Sequence, residues 1–153
     1  MRGMTTLFLL LAVLQDKPFP AGDPADAILA ARKRAAAENR RVLVLSGSND
    51  SEPSRALAAL LKKDRDLSRT ILYEYDLVLA DAAEKKTLPW LTILDADGKP
   101  LADVEAPREA AALVALLKKH QAEPLKAKDV LDAAMKRAAD EKKRLLLTFG
   151  APW

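Results

Sequence analysis

Hydrophobic positions along the chain change their period several times, and each change predicts an element. Asp23-Pro24 reads as a helix cap and a first-turn proline, with Asp26 favourably placed behind them. Apolar positions then recur at helical spacing through Ile28, Ala31 and Ala35, predicting a helix to about Asn39 with Arg32, Lys33, Arg34 and Glu38 mostly in water. Residues 42–45, Val-Leu-Val-Leu, are apolar at every position, the pattern of a central strand covered on both faces. Pro53 suits the first turn of a second helix, whose interior runs over residues 55–61. Residues 71–79 alternate in part and predict a strand. A polar loop through Asp81, Glu84 and Lys86 follows, and Leu88-Pro89 leads into a strand ending at Leu94. Asp95-Ala96-Asp97-Gly98 turns that strand into another at about 100–104, a hairpin. Pro107 opens a last helix over 108–120, carrying Ala111, Leu113, Val114, Leu116 and Leu117.

Two stretches lie outside this order. Residues 1–15 hold one positive charge and then an apolar run too short to span a bilayer, which predicts an export signal, although Ala12-Val13-Leu14 writes the cleavage site poorly. The alternative is an N-terminal anchor or a buried helix in a protein that stays in the cytoplasm. At the other end, residues 129–153 repeat residues 26–50 with a shift of 103. Lys33-Arg34-Ala35-Ala36 meets Lys136-Arg137-Ala138-Ala139, Arg41 meets Arg144, Leu43 meets Leu146, and Gly47 meets Gly150. The match continues through helix, strand and glycine turn, so duplication explains it better than two alanine-rich helices alike by chance. The predicted organisation is a signal at 1–15, a proline-rich lead at 16–22, one complete domain at 23–120, a linker at 121–128, and the first helix and strand of a second domain at 129–153.

Composition narrows the function. Half of the 153 residues are hydrophobic and 31% are charged, enough for one ordinary core and a little more. The 25 basic and 22 acidic residues leave a net charge of +3 with the two signs intermixed, which argues against a nucleic-acid partner. Lys62-Lys63, Lys118-Lys119 and Lys142-Lys143 read as solvated helix ends. The chain has no cysteine, and a chain without thiols carries no signal of redox compartment.

The order of elements and its punctuation resemble the thioredoxin-like family over residues 23–120. The resemblance rests on the apolar strand 42–45, the Asp50-Ser51-Glu52-Pro53-Ser54 loop opening a helix, the Leu88-Pro89 step before a strand, and the hairpin at Asp95, Asp97 and Gly98. It implies an α/β fold with a central mixed sheet flanked by helices, followed here by the incomplete helix-strand repeat. It also implies that Ser51 and Ser54 stand where the family has its redox cysteines, that Pro53 is retained between them, and that Pro89 matches the family's cis-proline. Asp50, Pro53, Pro89 and Trp90 would then form a peptide-binding surface for a protein or peptide substrate. A packing role for Trp90 competes with that reading.

The departures from the family matter as much. A serine hydroxyl has no accessible disulfide state, so this domain has no catalytic residue for dithiol exchange. Leu45 falls where thioredoxin proper carries a buried acid, and Asp50 where the family usually has tryptophan. The repeat ends on Phe149-Gly150-Ala151-Pro152-Trp153, which in the family leads straight into the cysteine pair. The expectation is therefore the N-terminal part of an exported thiol-disulfide oxidoreductase, redox-inactive as it stands, with no cofactor and no membrane span once the signal is removed. The alternative is a thioredoxin fold used as a non-catalytic binding or structural module.

Other chemistry is weakly signalled. His120 is the single histidine and sits beside Lys118 and Lys119, so a metal site lacks ligands. Asp95, Asp97 and Gly98 resemble part of a calcium loop whose remaining positions, including the closing glutamate, do not fit. The five glycines are scattered singly, with no phosphate-binding loop.

Overall fold

The central strand is β1, Arg41–Gly47, buried from its second residue onward. It pairs in parallel with β2, Tyr75–Asp81, and antiparallel with β3, Trp90–Leu94, which pairs antiparallel with β4, Pro100–Glu105. The sheet order is β2-β1-β3-β4, a mixed sheet. A parallel pair needs a long crossover, here supplied by helices α2, Glu52–Lys63, and α3, Arg65–Glu74. Helices α1, Ala25–Glu38, and α4, Ala110–His120, complete the layers, and α5, Ala127–Asp140, follows. The computed structural model describes residues 17–82 and 88–148. The predicted export signal, Glu84 and Lys86 of the polar loop, and the words at 149–153 lie outside the described residues.

Each face of β1 meets a different partner, which is why residues 42–45 are apolar without interruption. Val42 and Val44, with Val78 and Ala80 of β2, pack under Ala31 and Ala35 of α1, flanked by Ile28 and Leu94. Small alanines let the helix approach the sheet closely. Leu43 and Leu45, with Leu91 and Ile93 of β3, meet Leu57, Ala58 and Leu61 of α2, Leu67 and Ile71 of α3, and Leu113 and Leu117 of α4. Phe19, from the proline-rich lead, is 2% exposed within this second cluster, so the lead contributes to the core.

The turns follow the sequence chemistry. Asp23 Oδ1 accepts from the Ala25 N–H at 2.9 Å at the start of α1. Asn39 ends that helix in the left-handed region at φ 54°, and the Arg40 N–H returns to the Ala35 carbonyl. At the hairpin, Gly98 takes φ +87° and Asp95 Oδ1 accepts from the Lys99 N–H at 2.8 Å. Arg32, expected in water, instead reaches across to donate to the carbonyls of Ala96 and Asp97.

One predicted strand within the domain is corrected. Residues 71–74 are not strand but the last turn of α3, and the strand begins at Tyr75. Asp64 caps α3 by accepting from the Asp66 and Leu67 N–H groups at 3.1 and 2.9 Å, and Leu67 and Ile71, one turn apart, face the core. Tyr75 is buried and its hydroxyl donates to the Leu117 carbonyl at 2.6 Å, joining β2 to α4. Burial, with the Glu74 charge adding to it, holds that hydroxyl well above the ordinary tyrosine range.

Beyond α4, the chain is fastened by Asn39, whose amide donates to the Glu123 carbonyl at 2.9 Å, and by buried Ala122. α5 then has no buried residue, and the strand predicted after it is a correction: residues 143–148 belong to no helix or strand, because no neighbouring strand pairs with them among the described residues.

Candidate functional site

The site expected from the sequence lies where β1 ends and α2 begins. β1 carries the chain out of the sheet at Gly47, and a knot of hydrogen bonds then shapes the loop. Ser48 Oγ accepts from the Asp50 N–H at 3.2 Å, and the Ser48 carbonyl from the Ser51 N–H at 3.2 Å. The Asn49 side chain accepts from the Phe19 N–H at 3.1 Å and donates to the Phe19 carbonyl at 2.7 Å. Its own carbonyl receives the Arg55 guanidinium.

Ser51 is the N-cap of α2, and Pro53 lies in the first turn. Ser51 Oγ accepts from the Ser54 N–H at 3.4 Å and from the Ser54 hydroxyl at 2.9 Å. Ser54 is 0% exposed, so Ser51 is its hydroxyl's acceptor in the interior, while Ser51 itself is half-buried. The two serines are thus a bonded pair that caps a helix and satisfies a buried donor. Replacing Ser51 with alanine removes the cap and strands the Ser54 hydroxyl, an expected loss of about 2 kcal/mol. Chemical denaturation measures it; a loss below about 0.5 kcal/mol would show that the pair contributes nothing.

The Leu88-Pro89 peptide bond is cis, and Pro89 is buried. The Pro89 carbonyl accepts from the Ala106 N–H at 3.1 Å, tying the start of β3 to the end of β4. Between these strands and α2 opens an apolar cleft of ≈ 420 Å³, lined by Pro53, Ala56, Leu57, Leu60, Pro89 and Ala106, with Pro107 beside them and Glu52 and Arg108 as its charged residues. Such a lining suits apolar groups, with Glu52 and Arg108 as the charged partners at hand.

The four surface residues expected from the sequence separate into two groups. Pro53 and Pro89 line one cleft. Asp50 is exposed at the loop and Trp90 lies apart, its indole N–H donating to Asp103 Oδ1 at 2.7 Å, where the Thr92 hydroxyl also donates. Trp90 pairs with Ser46 on the strand positions that alternate with Leu91 and Leu45, which places it on the α1 side of the sheet. Ala56, Leu60, Ala106, Pro107 and Arg108 were not singled out in the sequence. Ala56 and Leu60 are apolar at α2 positions outside its buried stripe, whereas Ala106, Pro107 and Arg108 follow β4 and carry no local signal of the cleft.

The arrangement holds no group that can exchange disulfides, because both hydroxyls are serine. Among the described residues there is no cluster of three or more His, Asp or Glu able to hold a metal, and no helix long and apolar enough to cross a membrane.

The fold is similar to that of a disulphide isomerase from Xylella fastidiosa Temecula1, with a TM-score of 0.58 and 14% identity over 68% of this chain and 96% of that one. The fold is therefore thioredoxin-like. No family model matches the sequence, and no curated protein matches it.

Proposed function

We propose that this chain is a redox-inactive thioredoxin-fold module of an exported thiol-disulfide oxidoreductase. It holds an extended protein segment, and thiols on another thioredoxin-like unit carry the exchange. The observation behind this reading is the placement of a hydrogen-bonded serine pair at the start of α2, next to an apolar cleft shared by Pro53 and cis Pro89. The apolar cleft supports reading this side of the fold as the one that receives substrate, and the side chains beside it at the start of α2 are hydroxyls. The apolar opening of the chain supports export, and the likeness to a disulphide isomerase fold supports the thiol-disulfide setting.

Insulin reduction with dithiothreitol as reductant separates this from a binding module outside disulfide chemistry. The 153-residue chain should leave insulin at the background rate, and the protein of the full encoding frame should accelerate it. Acceleration by the short chain would refute the serine argument. A full-frame protein that binds unfolded polypeptide but never reduces insulin would place the fold among non-catalytic modules.

A further inference from the structure

Two unsatisfied features of the molecule are complementary. β2 is the outermost strand on its side of the sheet, so among the described residues its outer backbone groups have no ladder partner. Along that edge runs a groove of ≈ 480 Å³, walled by Leu77, Val78 and Leu79 of β2, Ala27 and Ala30 of α1, and Pro18 and Pro20 of the lead, with Lys17 and Arg34 as its charged residues. At the far end of the chain, Leu145, Leu146 and Leu147 are exposed by 41, 84 and 53%. Three consecutive exposed leucines and an open apolar edge are each a pairing liability.

The sequence says which edge the tail suits. Residues 144–148 repeat 41–45, so Leu145 corresponds to Val42, Leu146 to Leu43 and Leu147 to Val44. β1 is the strand that β2 already accepts in parallel, with Arg41 opposite Tyr75, Val42 opposite Asp76, Leu43 opposite Leu77 and Val44 opposite Val78. The tail is a second version of the partner β2 has, and β2 has a second edge. In the same register Arg144 falls opposite Tyr75 and beside Glu74, while Asp76, on the other face, is held by Arg34 at 2.7 Å.

We infer that residues 144–148 of one copy add in parallel to the outer edge of β2 in a second copy, reciprocally, giving a two-fold dimer. The segment, exposed and in no strand of its own chain, follows α5, about 21 Å long, which buries none of its residues. This inference does not rest on the functional reading and competes with it where that reading takes residues 129–153 as the start of the second unit. It is exclusive of residues 144–148 serving as the central strand of a second domain, since one strand cannot do both.

The absence of cysteine makes the test clean. Leu77→Cys and Leu146→Cys chains, mixed and mildly oxidised, should form the mixed disulfide-linked pair well above either like pair, and above a Leu77→Cys mixture with Leu125→Cys, whose side chain is also exposed. By light scattering the parent chain should have the mass of two chains. Leu146→Asp, at a position too exposed to affect folding, should weaken the dimer at least about tenfold with unchanged circular dichroism. A monomer at every concentration, a dimer indifferent to Leu146→Asp, or cross-linking no stronger than the Leu125→Cys control would each overturn the proposal.

Discussion

Phe19→Ala should be the most damaging single core truncation in the molecule, costing about 4 kcal/mol of a total stability of roughly 5–15. Phe19 belongs to no helix or strand, yet it is among the largest fully buried side chains. Its ring lies against Gly47 so closely that a Cβ there would stand 2.3 Å from the Phe19 Cζ. The residue cannot slide away, because the Asn49 amide holds its N–H and its carbonyl together. The vacated volume would sit under the loop that leads to Ser51, bounded by a strand end and a capped helix, neither of which can collapse freely. Thermal melting reads the loss as a fall of about 4–8 °C per kcal/mol. Asn49→Ala, which removes two partly buried hydrogen bonds and leaves the ring, should lose about half as much. Equal stability of Phe19→Ala and the parent would mean that the lead is an appendage after all.

Phe19 also marks where sequence reading stops. A phenylalanine between two prolines has no period, so nothing local distinguishes a plug from a linker. β1 was readable because every residue of 42–45 has an apolar partner layer and the pattern has no polar gap. The hairpin was readable because Asp95 and Gly98 do local work, the one through its side chain and the other through a positive φ. α3 was hidden by its own composition. Its outer face carries Leu72 and Tyr73, exposed by 59 and 41%, which run on into Tyr75, Leu77 and Leu79 and imitate one long strand. The signal that decides it is Asp64 with Leu67 and Ile71, a cap and a single turn of buried spacing. The cleft was half readable. Pro53 and Pro89 stood out by residue type, whereas Ala106 and Arg108 come to the site only through the pairing of β3 with β4. Trp90 stood out by type as well, and the alternation of β3 turned it to the other face.

Installing thiols at the two serine positions should make this domain redox-active. In Ser51→Cys/Ser54→Cys the two sulfurs would start where hydroxyl oxygens now lie 2.9 Å apart, one helical turn from cap to interior. A disulfide closes at about 2.05 Å with its Cβ atoms about 3.8 Å apart, so only a small rotation of each side chain is required. The two positions would differ in reactivity. At residue 51 the sulfur is half-exposed at the helix N-terminus, where the dipole and two donors favour a thiolate; at residue 54 it is sealed from solvent. Ser51→Cys alone should therefore react with a thiol reagent and form mixed disulfides without turnover, and Ser54→Cys alone should resist the reagent. The double variant should close its disulfide under mild oxidation and reduce insulin with dithiothreitol present, where the parent does not. Leu45 supplies no buried acid to assist proton transfer, so the restored rate should rise further when that position is made acidic in a variant that still folds. A double variant that stays open under oxidant, or closes and leaves insulin untouched, would show that a thiol pair at residues 51 and 54 is not enough for exchange at this site.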